Sequence, residues 1–264
     1  MPDRSSSPSA TRRIVNVVTG GESHEQRMFG DFLDKKQRYA RADEFLEIVR
    51  RLWTGDTVNF DGQYLSVENA VLHQIPDPLP QIYFGGSSPA ALPIAAQYVD
   101  VYLTWGEPPA DAAAKIAKVR TLAQARGHTV RFGIRLHTIS RDTSAAAWAV
   151  AEELLAELTP DQIAKATALH QKSESEGQRR MTALHGGEVD RLEIYPNLWA
   201  GVGLVRGGAG TALVGSHEEV ANLIYEYYSL GFDEFILSGY PHLEEAYWFA
   251  EGVLPLLKAK GVTT

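Results

Sequence analysis

Short β-branched and aromatic runs alternate with longer stretches of helical spacing along this chain. Residues 14–19 (IVNVVT) form a compact apolar run closed by Gly20 and Gly21, the mark of a buried strand. Four further runs have the same character: 81–84 (QIYF), 100–105 (DVYLTW), 130–140 (VRFGIRLHTIS) and 235–239 (FILSG). A polar loop is expected after the first, to about residue 36. Residues 38–53 then place Phe45, Leu46, Val49 and Leu52 at helical spacing. Helices are also predicted over 89–98, from the GEPP turn at 106–109 to 126, and over 144–158, 216–230 and 242–260. Proline opens the first of these, and a capping box, Ser216 to Glu219 (SHEE), opens the fourth. Residues 57–72 read as a hairpin turning at Asp61 and Gly62. Residues 159–197 form a polar, helical excursion. Strands alternating with helices predict an α/β fold around a parallel sheet.

Composition narrows the classes. The 264 residues are 44% hydrophobic and 22% charged, which suits a globular domain with a sizeable core. No internal boundary is visible, so 14–264 reads as one domain behind a polar, disordered lead, 1–13 (MPDRSSSPSATRR). That lead lacks the apolar core of a secretory signal. No apolar run is long enough to span a bilayer. A net charge of −8 without a basic stripe argues against nucleic acid or an anionic membrane as partner. There is no cysteine, hence no disulfide framework and no thiolate nucleophile, which fits a cytoplasmic protein. The eight histidines are scattered without metal-ligand spacing, so no metal site is expected.

Three stretches carry candidate chemistry. Residues 198–215 (LWAGVGLVRGGAGTALVG) hold six glycines and one charge, Arg206. Such glycine density suits a mobile loop or a close backbone approach to a ligand, and a lone arginine there suits an anion. An idle connector is the alternative. Gly85-Gly86-Ser87-Ser88 before a helix reads either as an anion cradle or as a serine N-cap with glycines for the turn. Arg135 and His137 share one face of a strand, because alternate residues point the same way. An arginine inside an α/β core must have its charge met, by a buried carboxylate or by a ligand.

NVVTGG (16–21), YFGGSS (83–88), LTWGEPP (103–109), RFGIRLH (131–137), NLWAGVGLVRGGAGTALVG (197–215) and ILSGYPHLEEAY (236–247) resemble the FMNH2-dependent alkanesulfonate monooxygenases. These belong to the bacterial luciferase-like superfamily. The resemblance implies a TIM barrel with insertions and a flavin monooxygenase that uses FMNH2 and O2. Its substrate would be an alkanesulfonate and its products an aldehyde and sulfite, for sulfur assimilation. A separate NAD(P)H-dependent FMN reductase would supply the reduced flavin, and a homo-oligomer is expected. Arg135 and Arg206 correspond to contacts with the sulfonate and with the oxygenated flavin anion, Arg206 on a mobile lid. His137 corresponds to a hydrogen-bonding residue beside flavin or substrate, and Tyr240 to a tyrosine near the reaction centre. Asn16, Thr19 and Tyr39 match flavin-lining positions. Gly86, Ser87 and Ser88 match the phosphate site.

One departure accompanies the match. A full (β/α)8 barrel takes about 250 residues, yet only five βα units are legible here. The remainder is spent on the lead, the hairpin and an insertion over 159–215 that includes the lid. Family members carry three further βα units ahead of the strand that corresponds to residues 14–19. The expectation is therefore a partial barrel with open edges. Two alternatives stay open beside the monooxygenase: a non-catalytic truncated remnant, and a luciferase-like oxidoreductase with another substrate or flavin.

Overall fold

The computed structural model describes residues 13–262. The expected disordered lead lies outside the described residues except for Arg13. In chain order the elements are β1 (Ile14–Val17), α1 (Ser23–Met28), α2 (Lys35–Trp53), β2 (Val58–Asp61), β3 (Ser66–Ala70) and β4 (Gln81–Gly85). Then come α3 (Ala91–Tyr98), β5 (Val101–Trp105), α4 (Pro109–Gln124), β6 (Arg131–Arg141), α5 (Ser144–Glu153), α6 (Pro160–Gln171) and α7 (Glu176–His185). The chain finishes with β7 (Glu193–Tyr195), β8 (Leu198–Trp199), β9 (Ala212–Ser216), α8 (His217–Ser229), β10 (Glu234–Ser238), α9 (His242–Trp248) and α10 (Leu254–Ala259).

All five expected strands form, as β1, β4, β5, β6 and β10, and every pairing among them is parallel. Their order is β1-β4-β5-β6, with β10 on the other edge of β6. The hairpin forms a separate two-stranded sheet, β2 with β3. Local signals set the helix ends. Asp34, Thr159 and Ser216 each accept from the backbone N–H three residues on, while Gln37, Gln162 and Glu219 reach back. Gly186 adopts a left-handed conformation and ends α7.

The sheet has two faces of different chemistry. Ile82, Phe84, Tyr102, Phe132, Ile134 and Leu136 point toward α3, α4 and α8 and join one core cluster. Each such side chain contributes about 1.5–3 kcal/mol on burial. The opposite face carries Leu103, Trp105, Arg135 and His137, which is where the chemistry sits.

Three features differ from expectation. First, helix α2 buries Arg38, Tyr39, Ala42, Leu46 and Ile48, while Phe45 is 44% exposed. The guanidinium of Arg38 is the unexpected core member; it donates to the carbonyls of Thr19 and Leu33 and to Ser23. Second, much of the 198–215 stretch has regular structure. Residues 212–216 form β9, which pairs in parallel with residues 137–141 of the long strand β6. Its glycines permit close packing: a Cβ on Gly210 would lie 2.8 Å from the Cα of Gly203. Only residues 205–211, around Arg206, are irregular. Third, the closing helix is interrupted by a π-helical turn, Phe249–Val253, where Gly252 packs directly against the His217 ring. Among the described residues no helix is long and apolar enough to cross a membrane.

Candidate active site

Register places the site residues in layers. Trp105 of β5, Arg135 of β6 and Ile236 of β10 are register partners, so they stand abreast. One layer further along, His137 faces Ser238 of β10 and Ala212 of β9. A cavity of about 370 Å³ opens beside the first layer. Its lining includes Asn16, Gly86, Ser87, Trp105, Arg135 and, from the excursion, Met181.

His137 is buried, with 1% of its surface exposed. Its Nε2 lies 3.1 Å from the Ala209 carbonyl, which can only accept, so the network assigns the proton to Nε2. Ser238 Oγ then donates to Nδ1 at 3.0 Å. Burial, together with the charges of Arg206 and Arg135, pushes the His137 pKa down to about 4, against the contrary pull of the Ala209 bond. The imidazole is therefore neutral at pH 7 and ties the Arg206 segment to the sheet. The Tyr240 ring stacks on it at 5.3 Å. The Arg206 guanidinium stands 5.9 Å from the centre of the same tyrosine ring.

Neither arginine is paired with a carboxylate, although Arg206 donates to the carbonyls of Gly207 and Ala209 at 3.4 and 3.5 Å. Among the described residues no carboxylate lies within ion-pairing distance of Arg135 or Arg206, while most other partly buried arginines have one. The Nε of Arg135 is buried without a hydrogen-bond partner. Two permanent cations flanking a neutral imidazole make a receptor for an anion.

Helix α3 starts at an N-cap Ala90 with no side-chain cap, so neither serine serves as the cap. Ser88 Oγ is buried and lacks a partner. A Cβ on Gly86 would lie 2.7 Å from Ala91 Cβ and 3.2 Å from the Tyr39 hydroxyl, so only glycine fits there. An orphaned hydroxyl in a glycine turn at a helix start suits a phosphate, and these residues fit a flavin mononucleotide.

The predicted residues thus fall into two joined groups. Asn16, Gly86, Ser87 and Arg135 line the cavity; His137, Arg206 and Tyr240 cluster beside Arg135. Ser88 is buried beside Ser87 without lining the cavity, and two more lie off this centre. Thr19 lines a neighbouring pocket with Gln26 and Arg38. Tyr39 is 7% exposed and packs edge-on against Phe84, behind the glycine turn.

Sequence reasoning missed an ion triad beside the cavity, two of whose members, Glu107 and Lys115, are buried in its lining. Glu107, from the turn after β5, pairs with Lys115 of α4 at 2.9 Å and with Arg180 of α7, whose Nη2 lies 2.9 Å from Oε2. Burial pushes the Glu107 carboxyl up, but the Arg180 hydrogen bond and the Lys115 charge outweigh it and hold the group ionised. Lys115 was findable: it falls in the buried stripe Ala112, Lys115, Ile116, Val119 of α4. Arg180 carries no such signal. The same helix holds the Arg206 segment through Gln178, whose Oε1 accepts from Gly208 N–H at 2.8 Å.

Comparison with known proteins bears on the fold. The riboflavin lyase RcaE, solved with modified FMN and riboflavin, superposes with a TM-score of 0.76 at 21% identity, covering 94% of this chain and 64% of that one. DmoA from Hyphomicrobium sulfonivorans gives 0.72 at 21% identity, with 94% and 62% covered. EDTA monooxygenase (EmoA) from Chelativorans sp. BNC1 gives 0.73 at 20% identity, with 94% and 66% covered. The chain therefore spans about two thirds of the length of these structural relatives. At such identities the likeness shows a shared fold, that of the luciferase-like α/β barrels. The family model for luciferase-like monooxygenases matches residues 9–234, a span that takes in β1 to β9, the cavity lining apart from Ile236, and the Arg206 segment, and the chain belongs to that family.

Proposed function

We propose that this chain performs flavin-dependent monooxygenation of a small amphipathic anion, an alkanesulfonate, using reduced FMN and dioxygen. The observation that carries the reading is the pair of arginines without carboxylates, Arg135 and Arg206, around the His137–Tyr240 stack. A sulfonate is ionised at any workable pH, and guanidinium groups match it at all of them.

Gly86, Ser87 and Ser88 would hold the FMN phosphate, with Asn16 along the cavity lining. Reduced flavin, when bound, supplies the two electrons that activate dioxygen. The chain's own residues do the rest. Arg135 binds and orients the sulfonate. The 205–211 segment, held by His137 and Gln178, places Arg206 over Tyr240 and limits access of water. His137 holds its proton at Nε2 as a neutral donor. The stoichiometry balances: alkanesulfonate, dioxygen and reduced FMN give aldehyde, sulfite, oxidised FMN, water and one proton. An NAD(P)H-dependent FMN reductase would be the partner that regenerates the reduced flavin.

The test is sulfite release from octanesulfonate by the full chain with FMN, NAD(P)H and a flavin reductase. Sulfite that requires both chain and sulfonate is expected. No sulfite above the reductase-only control would overturn the reading.

A further inference from the structure

The layer that holds Arg135 is amphipathic. Trp105 stands on one side of the guanidinium and Ile236 on the other, on strands about 4.8 Å apart. Leu103 and Met181 extend the apolar part of the cavity lining. Trp105 is the single aromatic residue among those that line it. An anion seated on Arg135 would therefore run its apolar tail along the indole.

Helix α7 decides where that indole stands. Gly177 is the second residue of α7, in a helix where alanine is intrinsically the better residue. A Cβ at this position would lie 3.1 Å from Cζ3 and 3.3 Å from Cε3 of Trp105. Carbon atoms prefer separations of about 3.5–4.0 Å, so the glycine is what lets helix and ring meet. The helix is tied to the cavity wall on its next turn. Arg180, one turn on, is tied to Glu107, and Glu107 is itself tied to Lys115. An added methyl group would require the ring to give way by a few tenths of an ångström, and both residues line the cavity.

We propose that Gly177 and Trp105 act as a pair that sets how long an apolar tail the cavity accepts on its anionic ligand. Gly177 fixes the depth of the indole, and the indole forms the wall. The inference rests on the reading of the site as a receptor for an amphipathic anion, and it adds the residues that select among such anions.

The experiment is calorimetric titration of the full chain with linear alkanesulfonates from butane- to dodecanesulfonate. Four proteins are compared: wild type, Gly177→Ala, Trp105→Phe and the double variant. Gly177→Ala should shorten the longest tail that binds well, with about a tenfold loss for long tails, the cost of one misfitted methylene. The shortest sulfonates should bind it as they bind wild type. Trp105→Phe should extend the accepted length, and the double variant should return toward the wild-type profile. Sulfite release should show the same shift in KM. A Gly177→Ala profile that superimposes on wild type would overturn the proposal. If that variant fails to fold, an unchanged Trp105→Phe profile would overturn it instead. Failure of every sulfonate to bind wild type is a different result, and would remove the anion reading together with this inference.

Discussion

At the scale of single residues the site separates charge that never titrates from a group that has been kept from titrating. Arg135 and Arg206 stay cationic at every pH of interest. Hydrogen bonds to charged groups contribute about 1.5–3 kcal/mol. Arg135→Ala should therefore weaken octanesulfonate binding about 10- to 100-fold while leaving the thermal melt nearly unchanged, because no carboxylate is orphaned among the described residues. Calorimetry and a melting curve check both halves. His137 gives a pH prediction. Its pKa is about 4 in the fold and 6.5 in the unfolded chain, so between these values the unfolded state binds more protons. The contribution is fully present above pH 6.5 and is lost as pH falls toward 4, about 3 kcal/mol in all. His137→Gln should flatten the rise in stability between pH 4 and 6.5, measured by urea unfolding. Equal slopes in the two proteins would contradict the assignment.

At the scale of elements, β6 and α7 organise the site. Strand β6 delivers Arg135 and His137 to one face and has length to spare for β9, which anchors the Arg206 segment. Helix α7 joins that segment to the cavity wall through Gln178 and Arg180. Glu107→Gln would leave Lys115 buried without a carboxylate and should cost about 3 kcal/mol or more. Arg180→Met should cost much less, since Arg180 is 40% exposed and Glu107 keeps Lys115. Comparative melting curves decide; equal losses would show that the triad is not held mainly from the Lys115 side. The five parallel strands and most of the helices were legible because apolar periodicity is local. So were Arg135 and Arg206, as charges in surroundings that make charge conspicuous. β7 and β8 were not: strands of three and two residues are too short to show a period. β9 was hidden by its own glycine-rich approach. The outward turn of Phe45 was missed because Arg38, a charged residue, takes a place on the buried face that periodicity assigns to apolar ones.

At the scale of the molecule, the strand path runs from β1 to β7, and β10 pairs only with β6, as a further edge beside that path. Ile14, Val15 and Val18, on and just after β1, and Ile236 of β10 are exposed apolar residues. Strand edges of this kind pair with further strands or with other chains. The chain by itself should therefore associate, and sedimentation velocity over a hundredfold range of concentration should show species larger than the monomer. A monomer throughout would contradict this. The layered face between those edges remains ordered by its own helices and carries the whole cation cluster.

In the function proposed above, Arg135 and Arg206 form a receptor for an amphipathic anion beside a flavin site. The most direct measurement compares octanesulfonate with octanol by calorimetric titration of the FMN-loaded chain, wild type and the Arg135→Ala, Arg206→Ala double variant. The prediction is that wild type binds the sulfonate at least tenfold more tightly than the alcohol, as a charged hydrogen bond requires, and that the variant binds the two alike. Equal affinities in wild type, or a preference that survives loss of both arginines, would contradict the account.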